Sequence, residues 1–321
     1  MNGLIHALQL DGQGGASELS WDQAMAADSA NGVVWIHLDY TVSGAAEWIA
    51  NHAGVGTHVA QALLDSNTRP RAHEYPGGLL VALRGVNLNP GQDPEDMVAI
   101  RLWIEPGRII STRQRPLLSI REIATALLEG KGPKSAGGVV VQLTRRLIAR
   151  MSGVIDMIEE ETTDLEEQML ATTTLQARDQ LSQLRRQIIG LKRYLSPQRE
   201  AMEVLQQLDS DLLSDEHRMG LRESNERLIR YIEDLNESRE RAAVLHEETI
   251  NRATDLMNQR MYVLSLVAAI FLPLGFLTGL FGINVGGMPG VDSPWAFGLF
   301  SVALVVTTGL MLWYFKTKHW L

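Results

Sequence analysis

VLSLVAAIFLPLGFLTGLF, residues 263–281, decides the fold class. No charged residue occurs from Met261 to Val291. A helix of about 20 apolar residues crosses a hydrocarbon layer of about 30 Å, and this run is long enough to do so. A second uncharged run, WAFGLFSVALVVTTGLMLWYF, follows at residues 295–315. The pattern predicts two transmembrane helices at the C-terminal end. The segment between them holds no Lys or Arg and one acid, Asp292, whereas Arg252, Arg260, Lys316 and Lys318 flank the far ends of the pair. The positive-inside rule then places both termini in the cytoplasm and the short loop, 282–294, outside. Trp295, Trp313 and Tyr314 stand where interfacial aromatic belts form.

Upstream the chain reads as a soluble protein. Residues 1–134 carry mixed signals that predict a cytoplasmic α+β domain. Strands are expected over Gly32–Leu38, Gly78–Val86, Met97–Ile104 and Arg108–Thr112, punctuated by Pro76-Gly77, Pro90-Gly91 and Pro106-Gly107. Helices are expected near Gly44–His52, Thr57–Asp65 and Leu117–Glu129, and Lys131–Gly138 reads as a loop. Met1–Leu10 lacks a basic region followed by an apolar run, so no secretory signal is expected.

From Val139 to Arg260 Gly and Pro almost vanish and Leu, Glu, Arg, Gln and Ala dominate, which marks long helices. Breaks at Thr172–Thr174 and Asp209–Asp215 divide this stalk, residues 135–260, into helices of about 139–170, 176–208 and 215–281. The last would carry the stalk straight into the membrane as a rod of roughly 100 Å at 1.5 Å per residue. Leu221, Leu228 and Leu235 recur every seven residues, continued by Ala242, Thr249 and Leu256. A seven-residue repeat requires a helical partner, here expected to be the same helix of other subunits.

Composition excludes several functions. A net charge of −9 argues against nucleic acid, which needs a basic face. The absence of cysteine removes disulfides and thiolate metal sites. There is no G-x-x-x-x-G-K-[ST] and no G-x-G-x-x-G after a strand, so no nucleotide-binding motif is present. No nucleophile with a paired base is visible, and the chain is not expected to be an enzyme or to need a cofactor.

Two spans cannot enclose a polar path through lipid, whereas several copies around an axis can. The first span is the better lining. Counting by three and four gives Thr254, Asn258, Met261, Ser265, Ala268, Leu272, Gly275 and Gly279, a stripe of small and polar positions. On periodicity alone the stripe serves either a pore or tight helix packing. Pro273 removes one helix hydrogen bond, as a gating kink or a tolerated bend.

Phe281-Gly282-Ile283-Asn284 ends the first span, after Leu272-Pro273-Leu274-Gly275-Phe276-Leu277-Thr278-Gly279-Leu280 and before Met288-Pro289. Here the chain resembles the CorA superfamily of divalent metal-ion transporters, whose signature is Gly-Met-Asn at this place. Gly-Ile-Asn, followed by Gly286-Gly287-Met288-Pro289-Gly290, resembles the ZntB branch, associated with zinc, as does Val34-Trp35-Ile36-His37-Leu38-Asp39-Tyr40. The resemblance implies a funnel-shaped homopentamer in the bacterial inner membrane, with Gly282, Ile283 and Asn284 ringing the external mouth. It implies zinc as the transported ion, with support for proton-coupled uptake and with the direction of transport argued both ways. Amide and carbonyl oxygens would hydrogen-bond the waters of a hydrated divalent ion without stripping them. Many magnesium-transporting relatives have an acid after Met-Pro, where this chain has Gly290, so magnesium-type behaviour does not transfer directly. Read on residues alone, Gly282-Ile283-Asn284 also fits a helix C-cap.

Other metal candidates are His246 and Glu247 on the long helix, and Asp292 in the loop; a solvated helix face competes with the first two. The acidic run Glu159-Glu160-Glu161 with Asp164, Glu166 and Glu167 is either surface or a field that concentrates cations. Two rival functions stay open: a magnesium, cobalt or nickel transporter of the same superfamily, and a membrane-anchored sensor or scaffold.

Overall fold

The computed structural model describes residues 3–27, 32–171, 175–283, 290 and 292–318. The elements run β1 (Leu4–Leu10), β2 (Ala16–Glu18), α1 (Trp21–Ala26), β3 (Val34–Asp39), α2 (Ser43–Asn51), α3 (Thr57–Leu64), β4 (Arg71–Tyr75), β5 (Gly78–Gly85), β6 (Val98–Glu105), β7 (Arg108–Arg113), α4 (Leu118–Leu128), α5 (Ala136–Ala171), α6 (Leu175–Gln207), α7 (Asp215–Gly282) and α8 (Ala296–Thr317). They divide into two compact units, Met1–His246 and Glu247–Leu321, with the boundary inside α7.

In the first unit, seven strands form one sheet in the order β2-β1-β3-β7-β6-β5-β4. Only β3 and β7 pair in parallel among the described strands. Both faces are covered, which is why β3, β5, β6 and β7 read as apolar runs rather than strict alternations. Val34, Ile36 and Leu38 of β3 pack with Trp48 and Ile49 of α2 and Val59 and Leu63 of α3. Trp35, the intervening residue, points to the other face. It packs there with Leu102, Ile109, Ile120 of α4, Leu143 of α5 and Leu205 of α6. Arg84 ties α6 to β5: its backbone N–H donates to Gln198 Oε1 at 2.7 Å and its guanidinium lies 4.0 Å from the Tyr194 ring centre. All three nitrogens of the same guanidinium donate to the Thr68 and Met97 carbonyls, which compensates its burial.

The strands and helices expected from the sequence are present. β1, β2, α1 and β4 lie beyond those expectations, and β2 is only three residues long. β1 carries a register shift between Leu4 and His6 that breaks its alternation. β4 is an edge strand with one buried residue. α1 is a six-residue helix whose only signal is the capping box of Ser20 and Gln23. The three long helices lie where they were expected, and the expected break at Thr172–Thr174 falls outside the described residues. Pro197 sits within α6.

The seven-residue repeat has a different partner from the one expected. Leu228, Leu235 and Ala242 are fully buried inside this chain, against Ile155, Ile158 and Leu165 of α5 and Leu184, Ile188 and Leu191 of α6. Leu221 joins the core beneath the sheet. α5, α6 and α7 thus form a helical layer that buries the repeat internally from Leu221 to Ala242, whereas Leu256 is exposed. A period of seven shows that a helix has a helical partner, not whose helix it is. Close approach at the head of this layer needs Gly137, where a Cβ would lie 2.3 Å from the Leu212 carbonyl and 2.6 Å from His217 Nδ1.

Two predictions follow from this packing. Leu235→Ala should cost about 2–5 kcal/mol in denaturant unfolding of the full chain. Because the partner belongs to the same chain, that cost should not vary with protein concentration; a concentration-dependent cost would place the partner in another copy. Burial first, and the charge of Arg113 second, push His6 down from 6.5 to about 4. The unfolded chain therefore holds more protons between those values, and stability should rise with pH across that window by about 3 kcal/mol. Unfolding series of the parent and His6→Leu, compared across that pH range, isolate this group: the variant's pH slope should be shallower by about one proton.

Candidate functional site

In the unit Glu247–Leu321, the C-terminal part of α7 and α8 form a helical pair. Along α7, Leu266, Ile270, Pro273, Leu274 and Leu277 are half-buried, a stripe at spacings of three and four. On α8 the matching stripe is Ala296, Phe300, Leu304, Thr307 and Met311, ending at buried Phe315. Phe281 and Phe300 meet with ring centres 5.1 Å apart. At the other end Phe315 shares a crevice of about 250 Å³ with Tyr262, Leu266 and Ala269. The two helices are therefore antiparallel neighbours.

The lining candidates fall on the other side of α7. Thr254, Asn258, Met261, Ser265, Ala268, Leu272, Gly275 and Gly279 are all exposed. On a wheel of 3.6 residues per turn their stripe lies opposite the Leu266–Leu277 face. A Cβ added at Gly275 or Gly279 would meet nothing within 4 Å, so packing within the chain does not explain either glycine. Ser265 also borders the crevice beside Phe315, at the edge of the stripe. Thr254 Oγ1 donates to the Ile250 carbonyl at 2.9 Å, and Thr278 Oγ1 to the Leu274 carbonyl at 3.0 Å, which lets the Thr278 hydroxyl sit within the apolar span. Both α7 and α8 are long and apolar enough to cross a membrane.

Gly282 closes α7 and Ile283 follows it, exposed. Asn284 and the stretch Gly286 to Pro289 lie outside the described residues. Asp292 is exposed in the segment before α8. His246 is half-buried and Glu247 exposed, at consecutive positions on α7. Among the described residues, no group of three or more His, Asp or Glu is placed to hold a metal ion, so His246, Glu247 and Asp292 do not form a site within one chain.

The acidic run divides. Glu166 is paired with Arg241 of α7, and that hydrogen bond holds its carboxyl below the usual range. Glu159 faces Asp234 and Glu237 of α7 and Asp156 of α5. Burial first and these charges next push it up, and Asp234 is raised in the same way. Sequence reading missed Asp234 and Glu237. The signal was their place beside the Leu228–Leu235 seam, which carries information only once α5 is known to be the partner.

The residues from 30 to 317 match the family model described as CorA-like Mg2+ transporter protein. The zinc transport protein ZntB of Pectobacterium atrosepticum is 38% identical over 320 residues, covering 100% of this chain and 97% of that protein. The divalent cation transporter CmaX of Pseudomonas aeruginosa is 38% identical over 322 residues, covering 99% and 97%. The solved structure of the full-length CmaX protein superposes with a TM-score of 0.84 at 37% identity, over 99% of this chain and 98% of that one. With the sheet, the helical layer and the apolar pair all accounted for by this match, the chain belongs to the CorA-like family of Mg2+ transporter proteins.

Proposed function

We propose that this chain is one subunit of a homopentameric transporter of divalent cations, zinc first among them, and that α7 lines its central pore. The observation that carries the reading is the small and polar stripe on α7, left bare on the face opposite α8. A lone hairpin in lipid gains nothing from glycine, serine and threonine on an outer face. Copies gathered around an axis gain close approach and a polar lining.

Residues 1–134 and 135–260 then form the cytoplasmic α+β and stalk domains, and 261–321 the membrane domain with its loop, 282–294, outside. Both termini lie in the cytoplasm, as the basic residues Arg260, Lys316 and Lys318 favour. Gly282, Ile283 and Asn284 form the outer mouth. Five asparagine amides and glycine carbonyls there hold a hydrated ion through its waters, attracting it without trapping it. His246 and Glu247 meet their symmetry mates as an auxiliary cation site, with Asp292 adding charge near the mouth. The ion is cargo, and no cofactor is needed. The names of the ZntB and CmaX relatives support divalent cations, and those of the ZntB relatives support zinc. A coupled proton would need a carrier outside Met261–Val291, which holds no Asp, Glu or His.

Uptake by proteoliposomes loaded with a zinc-sensitive dye tests the mouth. Asn284→Ala should bring uptake to the level of empty liposomes while the oligomer keeps its size in solution; retained uptake would remove Asn284 from the pathway. The lining is tested separately. Gly279→Phe should block uptake, whereas Leu310→Phe, on an exposed part of α8, should leave it intact. Competition by magnesium, cobalt and nickel, with and without an inward proton gradient, ranks the ions. Magnesium displacing zinc at equal concentration would overturn the zinc assignment.

A further inference from the structure

The first unit contains a second polar feature far in sequence from α7. β1, β3 and β7 are neighbours in the sheet, and His6 pairs in register with His37. His37 in turn pairs with Ser111, and Asp39 with Arg113. Side chains alternate along strands, so His6, His37, Ser111 and Arg113 share the face covered by α4. His37 is fully buried and its ring centre lies 5.0 Å from that of His6. A cavity of about 420 Å³ opens between this cluster and α4, whose Arg121 and Ala124 face it together with Leu117.

Three buried nitrogens of this cluster have no partner: His6 Nε2, His37 Nε2 and Arg113 Nε. Buried polar atoms are nearly always satisfied, so three together at one cavity require an explanation. Ser111 occupies Nδ1 of His37 and leaves Nε2 as the ring nitrogen without a partner. Ser111 Oγ accepts from Trp35 Nε1 at 2.8 Å, and lies 2.8 Å from His37 Nδ1 but 3.4 Å from the Ile36 carbonyl. A bound anion selects the tautomer in which Ser111 donates to Nδ1 and the imidazole proton stands on Nε2, directed at the cavity as a donor. Both imidazoles stay neutral, because burial pushes His6 to about 4 and His37 well below its ordinary value. The fixed charges are those of Arg113 and Arg121. Asp39 acts on Arg113 from its own register position, and its carboxylate is engaged by the Thr41 N–H and hydroxyl.

Donors from His37 and Arg113, an added guanidinium and apolar walls make a poor cation site and a good one for a small organic acid. We propose that the cavity between the β1–β3–β7 face and α4 binds a small aliphatic carboxylate. Its head group accepts from Arg113 Nε–H and His37 Nε2–H, and its apolar body lies along Leu117 and Ala124. The site is separate from the ion pathway and does not depend on α7 lining a pore.

Calorimetric titration of the full-length protein in detergent tests this with butyrate, neutral butyramide, inorganic phosphate and zinc chloride as probes. Butyrate should bind saturably. Arg113→Gln should weaken it about tenfold or more, the loss expected for one charge-assisted hydrogen bond. Arg121→Gln, on the surface of α4, should weaken it less and keeps the test open if the Arg113 variant folds poorly. Butyramide binding equally well would mean an apolar void with no anion recognition. Phosphate binding in place of butyrate would overturn the carboxylate class. Zinc binding lost on His6→Leu would make the pair of imidazoles a metal site. Absence of binding by every probe would also refute the proposal.

Discussion

A helix that passes from one solvent to another must keep every backbone N–H and C=O bonded within itself while its side chains change allegiance. α7 keeps this ladder over Asp215–Gly282 apart from the one bond that Pro273 cannot donate. Its first part gives a leucine seam to the interior of the first unit, and its last part carries no charge at all from Met261 onward. Much of the rest of the chain serves this helix. α5 and α6 fill the groove beside the seam, and α8 covers one stripe of the apolar segment and leaves the opposite one bare.

That division of faces links packing to function. In the first unit the helical layer is closed, because α5 and α6 take up the seven-residue repeat. In the second unit the Leu266–Leu277 face is occupied by α8 and the glycine-bearing stripe is not. No second copy is therefore needed to bury the leucine seam. In the proposed homopentamer, other copies would partner the small and polar residues that lipid would not reward. The same packing separates acids from one another. Glu166 is neutralised by Arg241, while Glu159 and Asp234 face each other and Glu237, with Arg241 and Arg230 offsetting only part of that charge.

The sheet shows how a buried polar cluster arises from topology. His6, His37, Ser111 and Arg113 stand up to 107 residues apart in sequence, yet strand order and register bring them to one face. Each alone reads as an ordinary strand residue. Only their shared face and the three unpartnered nitrogens give them a chemical meaning.

The sequence by itself determined the two apolar spans, the α+β character of the first part, the extents of the long helices and the Gly282-Ile283-Asn284 motif. These are properties of local composition and period, and a chain of uncharged residues or a run free of Gly and Pro states them directly. Tertiary structure alone decided the partner of the Leu221–Leu235 repeat, the company of Glu159, the edge strand β4 and the histidine–arginine cluster. Each depends on which distant segments become neighbours, and hydrophobic burial selects those neighbours without leaving a mark on any one stretch of sequence.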